Sequence, residues 1–281
     1  MFWELTYEIL GGVQVSEKDK TQYFTRFPNH YIQCNISKTF GVSRKFYITY
    51  ILIDRYRSYE DYSWITVRKI LNFYGYKTTR NKPKAFREIL DVLEYMVNNG
   101  MIEIAQDLDS VSYDTGIEIK INPKKFDCPE QFTKLTAYQL DWIINADTVL
   151  NKECLLIAFI YINSYIGYRK VINSKDDVED AKKNPRAFWK SMIKMSEELA
   201  MSKDTLNQCV QYLSTGDEFN EPLLKKHITG YANNRKTNNP ENVPNIYVLN
   251  EEGYEQEIRW AINKMLEVYQ VDHFFPHKSG N

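Results

Sequence analysis

The residues best able to do chemistry fall in three short polar sets. The first is Lys77, Thr78, Thr79, Arg80, Lys82, Lys84 and Arg87, with no carboxylate between Lys77 and Arg87. It is the sharpest local charge in a chain whose formal total is −1, from 36 Lys+Arg and 37 Asp+Glu. The second is Ser202, Lys203, Thr205, Asn207, Gln208 and Gln211, which share a helix face opposite the apolar stripe Leu206, Val210 and Leu213. The third is Lys225, Lys226, Arg235 and Lys236, with Asn233 and Asn234 beside them. Lys and Arg neutralise phosphates, while an Asn or Gln amide can pair bidentately with an adenine edge, a contact worth about 1–3 kcal/mol of discrimination. The third set suits phosphate or a minor groove. This is the chemistry of recognition rather than of bond making.

Catalytic and metal patterns fare worse. There is no Gly-x-x-x-x-Gly-Lys-Ser/Thr phosphate loop and no His-x-His pair of the kind a metal-dependent nicking nuclease uses. His30 and His227 lack Cys or His neighbours for zinc, and Pro276 interrupts the helical spacing of His273 and His277. Glu197-Glu198 and Glu251-Glu252 read as solvated faces. The expectation is no enzyme, no cofactor and no metal. Cys34, Cys128, Cys154 and Cys209 are too far apart for a Cys-x-x-Cys unit and read as reduced thiols. The first residues carry no secretory signal, and the most apolar run, Cys154 to Ile162, falls well short of the about 20 residues of a membrane span. A soluble, cytoplasmic protein is expected.

The 281 residues contain 11 Gly, against roughly 20 at average usage. That argues for long helices and against a turn-rich sandwich or barrel. Aromatic content is 14%, with 21 Tyr, part of which reflects AT-rich codon usage. An internal repeat is visible. Phe24-Thr25-Arg26-Phe27 recurs as Phe132-Thr133-Lys134-Leu135, and the same offset carries Ser43 to Leu52 onto Asn151 to Ile160, two apolar helices with polar first turns. A duplication joined near Lys124 to Glu130 follows.

Each copy reads as helix, helix, turn, helix and β-hairpin. In the first, helices cover Arg44 to Tyr56, Thr66 to Gly75, and Pro83 to Asn98, where Phe86, Ile89, Leu90, Leu93, Met96 and Val97 form the stripe. Its hairpin joins Met101–Ile104 to Ile117–Ile121. In the second, helix one covers Lys152 to Tyr165, a charged solvated loop covers Ser174 to Lys183, and helix two carries Trp189, Ile193, Leu199 and Ala200. Helix three follows Ser202 as N-cap, and a hairpin pairs Leu223–Ile228 with Ile246–Leu249. An amphipathic helix spans Tyr254 to Tyr269, and the residues from Pro276 on read as loose. The C-terminal helix reads as packing on the second copy, with dimerisation as the alternative.

The expected class is mainly α with small β-hairpins, an α+β chain of two tandem winged helix-turn-helix domains plus a C-terminal helix. The divisions are an arm over 1–22, domains over 23–126 and 127–253, and helix and tail over 254–281.

Met195 to Leu213 resembles the helix-turn-helix of bacterial winged-helix DNA-binding proteins, with a small residue at Ala200, Ser202 then Thr205, and apolar Leu206, Val210 and Leu213. Ile65 to Leu71 with Leu93 to Ile102 looks like the same fold with a stretched turn. Phe27-Pro28-Asn29 ahead of an apolar helix is similar to the N-terminal domain of plasmid and phage replication initiators and replisome organisers of low-GC Gram-positive bacteria. Two such units in series also look like the iteron-binding plasmid initiators. The resemblance implies double-stranded DNA as partner, with replication proteins such as a helicase or its loader and a second copy of the chain as further candidates. A transcriptional regulator of a mobile element and a winged-helix module that docks a replication partner are the other two readings.

Overall fold

The computed structural model describes residues 24–76, 83–127, 131–167, 175–218, 220–233 and 240–276. Helices and small antiparallel sheets make up the chain. β1 (Phe24–Pro28) leads through two short helices, α1 (Asn29–Ile32) and α2 (Ile36–Phe40), to α3 (Lys45–Arg55). Then come β2 (Tyr62–Ile65), α4 (Val67–Phe73), α5 (Pro83–Asn98), β3 (Ile102–Glu103) and β4 (Ile117–Ile121). A short α6 (Pro123–Phe126) precedes β5 (Phe132–Thr136) and α7 (Ala137–Asn145). The second half continues with α8 (Lys152–Ile166), α9 (Lys175–Lys183), α10 (Met192–Leu199) and α11 (Lys203–Thr215). It ends with β6 (Leu224–His227), β7 (Tyr231–Asn233), β8 (Pro240–Asn242), β9 (Ile246–Leu249) and α12 (Tyr254–Tyr269).

The repeated Phe-Thr-basic-apolar motif is the strand that joins the two copies. β1 and β5 pair antiparallel with Arg26 opposite Lys134, the two residues that the sequence repeat makes equivalent. An antiparallel ribbon centred on equivalent positions is a local twofold axis. The helix behind each strand lies against it: Tyr50 OH of α3 sits between Phe126 O at 2.7 Å and Arg26 O at 3.2 Å, and Asn163 Nδ2 of α8 donates to Lys134 O at 3.0 Å. The Thr136-x-x-Gln139 sequence closes a capping box that turns β5 into α7.

α3 and α8 are apolar nearly all round because they are covered nearly all round. Every residue from Lys45 to Ile53 is buried, and so is every one from Leu155 to Ser164. They lie in one continuous core that runs through both halves.

The halves share one order of strands. In the first, β4 lies between β2 and β3. In the second, β9 pairs with β6 on one side and bridges through Tyr247 to Phe188 on the other. α4 and α10 end alike. Gly75 (φ 71°) and Ala200 (φ 47°) are left-handed, and the next N–H reaches back to Leu71 O at 3.3 Å and to Ser196 O at 3.0 Å. Ala200 adopts this conformation although its Cβ makes it costlier than at Gly75.

The outer face of the sheet separates the halves. β4 alternates Ile117, Glu118, Ile119, Lys120 and Ile121, and its outward Lys120 pairs with Glu103 at 3.0 Å. β9 is apolar on both faces. Tyr247 and Leu249 join the main core, while Ile246 and Val248 join a second core with Ala261 and Met265 of α12. α12 therefore packs on the second half, and Trp189 is part of what it covers.

Several expectations need correction. Ser174 to Lys183 is not a loop: Lys175–Lys183 is helix α9, whose Ala181 is buried in a chain segment otherwise too polar to show a stripe. Arg186, just after it, donates its N–H to Glu257 of α12 at 2.7 Å and pairs at 3.0 Å with Glu251, which is exposed as expected. Trp189 precedes α10 instead of lying on it, and Ile193 points outward, leaving Met195 and Leu199 as the buried positions. The chain is tied down at Phe275, just before the stretch read as loose, of which residues 277–281 lie outside the described residues. Phe275 exchanges both backbone hydrogen bonds with Tyr231 at 2.8 and 2.9 Å, with its ring stacked on that of Tyr231. Gly230 permits this approach, because a Cβ there would sit 2.0 Å from Phe275 O. Among the described residues, no helix is long and apolar enough to cross a membrane.

Candidate nucleic-acid interface

The second set of site residues lies on α11. Ser202 caps the helix by accepting from Thr205 N–H at 3.1 Å, and its hydroxyl donates to Thr205 Oγ1 at 2.8 Å. Leu206, Cys209, Val210 and Leu213 anchor the opposite face in the core. Lys203, Asn207, Gln208 and Gln211 are exposed as a consequence of that spacing. None of these four side chains has a partner among the described residues. A row of amides and one ammonium, rigidly held and unused within the protein, is what base-edge recognition requires.

The equivalent helix of the first half differs. Lys84 and Arg87 are exposed on α5. Arg87, however, donates to Asp91 at 3.0 Å, to Asp109 at 3.1 Å and to Glu94 at 3.4 Å. Its charge is neutralised locally by its own helix and by the segment after β3. Lys77, Thr78, Thr79, Arg80 and Lys82 lie outside the described residues. So do Asn234, Arg235 and Lys236. Lys225 and Lys226 are on β6, with Lys225 Nζ 5.4 Å from the centre of the Tyr254 ring.

α10 is held by a cluster that the sequence reading missed. Lys190 Nζ donates to Tyr161 OH at 2.8 Å, to Tyr165 OH at 3.1 Å and to Glu198 Oε2 at 2.8 Å. Tyr161 OH in turn donates to Glu198. Glu198 was expected on a solvated face; instead it is three-quarters buried and fixes α10 to α8. The available signal was Tyr161 and Tyr165, one helical turn apart in an apolar helix, whose hydroxyls need partners. Burial, with Glu198 as acceptor, pushes the Tyr161 phenol well up. Burial alone would raise the Glu198 carboxyl, but hydrogen bonds from Lys190 and Tyr161 prevail and hold it below the usual carboxylate value.

A depressed carboxylate stabilises the fold above its unfolded pKa, and that stabilisation is lost as pH falls through the folded value. We therefore expect Glu198→Gln to lower the urea midpoint at neutral pH, and the gap to the parent to close as pH falls through and below the ordinary glutamate range. A gap that stays constant over that range would show that the ionised carboxylate contributes nothing.

Among the described residues, no group of three or more His, Cys, Asp or Glu side chains is placed to hold a metal ion. Cys34, Cys154 and Cys209 are free thiols. No protein-family model matches this sequence, and no curated protein matches it significantly.

Proposed function

We propose that this chain is a non-enzymatic, cytoplasmic double-stranded-DNA-binding protein of two winged-helix units. Its preferred role is that of a plasmid or phage replication initiator or replisome organiser acting on origin DNA. The units span 23–126 and 127–253, with 254–281 as a C-terminal addition. The repeated strand order, the matching left-handed caps on α4 and α10 and the helix that follows each support this reading. The observation that carries it is the unused Lys203, Asn207, Gln208 and Gln211 face of α11. The major groove, about 12 Å wide, admits such a helix, with its N-terminal turn toward the phosphates. Regulation of transcription on an operator would use the same chemistry at another address.

α5 favours a second reading for the first unit. Its Arg87 is committed to three carboxylates, which suits docking of a replication partner better than contact with a polyanion.

Fluorescence anisotropy against random and AT-rich duplexes, at two salt concentrations, tests the DNA reading. With about six phosphates neutralised, affinity should fall about 10³-fold between 50 and 200 mM salt. Absence of binding at the lower salt would remove both DNA roles and leave the docking module.

A further inference from the structure

We propose that Lys45 and Glu153 form an axial ion pair that sets the geometry between α5 and α11, and with it the spacing of the two DNA segments the protein accepts. The part concerning DNA rests on the reading above in which both units bind DNA, not on the docking reading of the first unit; the part concerning geometry rests on neither.

Lys45 Nζ and Glu153 Oε2 meet at 2.8 Å, with side chains only 5% and 14% exposed. They are 108 residues apart, the offset of the sequence repeat and of the Arg26–Lys134 pair at the centre of the β1–β5 ribbon. Equivalent residues that touch lie on the twofold axis. In a symmetric pair of identical units, such a position would face its own copy, lysine on lysine or glutamate on glutamate, and repel. Here the two copies carry opposite charges, so the contact is attractive only between first half and second half.

The pair touches the elements that aim the candidate helices. Lys45 Nζ lies 4.0 Å from the centre of the Tyr74 ring and 5.5 Å from that of Tyr76, the residues on either side of the Gly75 cap that ends α4. One residue earlier in the first copy, Arg44 donates to Ala200 O, at the cap between α10 and α11. Lys152, its equivalent in the second copy, donates to Ile144 O of its own half and brings its Cδ near Gly75, 4.0 Å from where a Cβ there would stand. The axial pair and its neighbours therefore lie beside the turns that end α4 and α10. Two apolar side chains could pack here over a range of small rotations. An ammonium and a carboxylate withdrawn from water are satisfied in far fewer arrangements, because any separation leaves two buried charges unpaired.

The experiment uses the full chain with spin labels on keto amino acids at Asn98 and Thr215, exposed positions at the far ends of α5 and α11. Pulsed dipolar spectroscopy should give one narrow distance for the parent. Lys45→Glu and the milder Glu153→Gln, checked for folding by circular dichroism, should broaden or shift it, and the exchange Lys45→Glu with Glu153→Lys should narrow it again. In parallel, duplexes enriched by the parent from a random pool are compared by anisotropy. Lys45→Glu should weaken a long enriched duplex about tenfold or more, because the two halves no longer act as one ligand. It should leave a shorter duplex, trimmed to the α11 contact, unchanged. An unaltered narrow distance in a folded Lys45→Glu or Glu153→Gln chain overturns the proposal. If the parent enriches no duplex, the DNA reading fails, and the distance measurement still decides whether this pair sets the geometry.

Discussion

Replacing Asn207, Gln208 and Gln211 together with alanine should abolish most sequence preference while leaving the fold intact. Each amide that pairs with a base edge contributes about 1–3 kcal/mol, so losing two such contacts costs about 2–6 kcal/mol, a factor of roughly 30 to more than 10⁴. The parent and the triple variant would be compared on an enriched duplex and on a scrambled one. The enriched duplex should lose affinity down to the level of the scrambled one. The scrambled duplex, held through phosphates, should keep its affinity and its salt slope. Stability should hold or rise, because the three side chains are exposed and unpartnered and alanine is the best helix former. That combination separates loss of a reader from loss of structure. Full retention of preference would move readout away from α11.

Met265→Asp should release α12 from the second half. Met265 and Ala261 are fully buried in the smaller core, against Ile246 and Val248 of β9. Truncating a buried Met costs about 2–5 kcal/mol, and an unpaired carboxylate in that site costs more. The smaller core has little to spare, since it draws on α12 for much of its apolar surface. The expected result is proteolytic cleavage near Glu251 to Tyr254, red-shifted tryptophan emission as Trp189 meets water, and aggregation through the bared apolar face of β9. Cleavage and emission like those of the parent would mean that α12 is not held by this contact. The first half offers a comparison: its sheet carries exposed Glu118 and Lys120 on the matching face, where Lys120 pairs with Glu103.

Much of the fold was legible from residues alone. The Tyr254–Tyr269 helix, the Ser202 cap, the stripe of Leu206, Cys209, Val210 and Leu213, and both hairpins follow from periodicity and local turn chemistry. The candidate amide face was legible for the same reason, because the residues opposite a buried stripe must face solvent. α9 was not, since a helix with one buried alanine shows no stripe. Trp189 was misplaced because an apolar residue before a cap carries the same signal as one within the helix.

Local periodicity therefore determined the long helices with a buried stripe and which of their faces is apolar, while α7 and α9 escaped it. It could not determine how the copies meet. Pairing Arg26 with Lys134, closing Lys45 on Glu153, and bringing Arg87 to Asp109 and Lys190 to Tyr161 are encounters that no local pattern announces. A side chain's type shows what it can bond to. Only the packed structure decides which bonds form within the protein, as for Arg87, and which groups remain unused, as for Asn207, Gln208 and Gln211, because desolvation and geometry are set by the neighbours that tertiary folding brings.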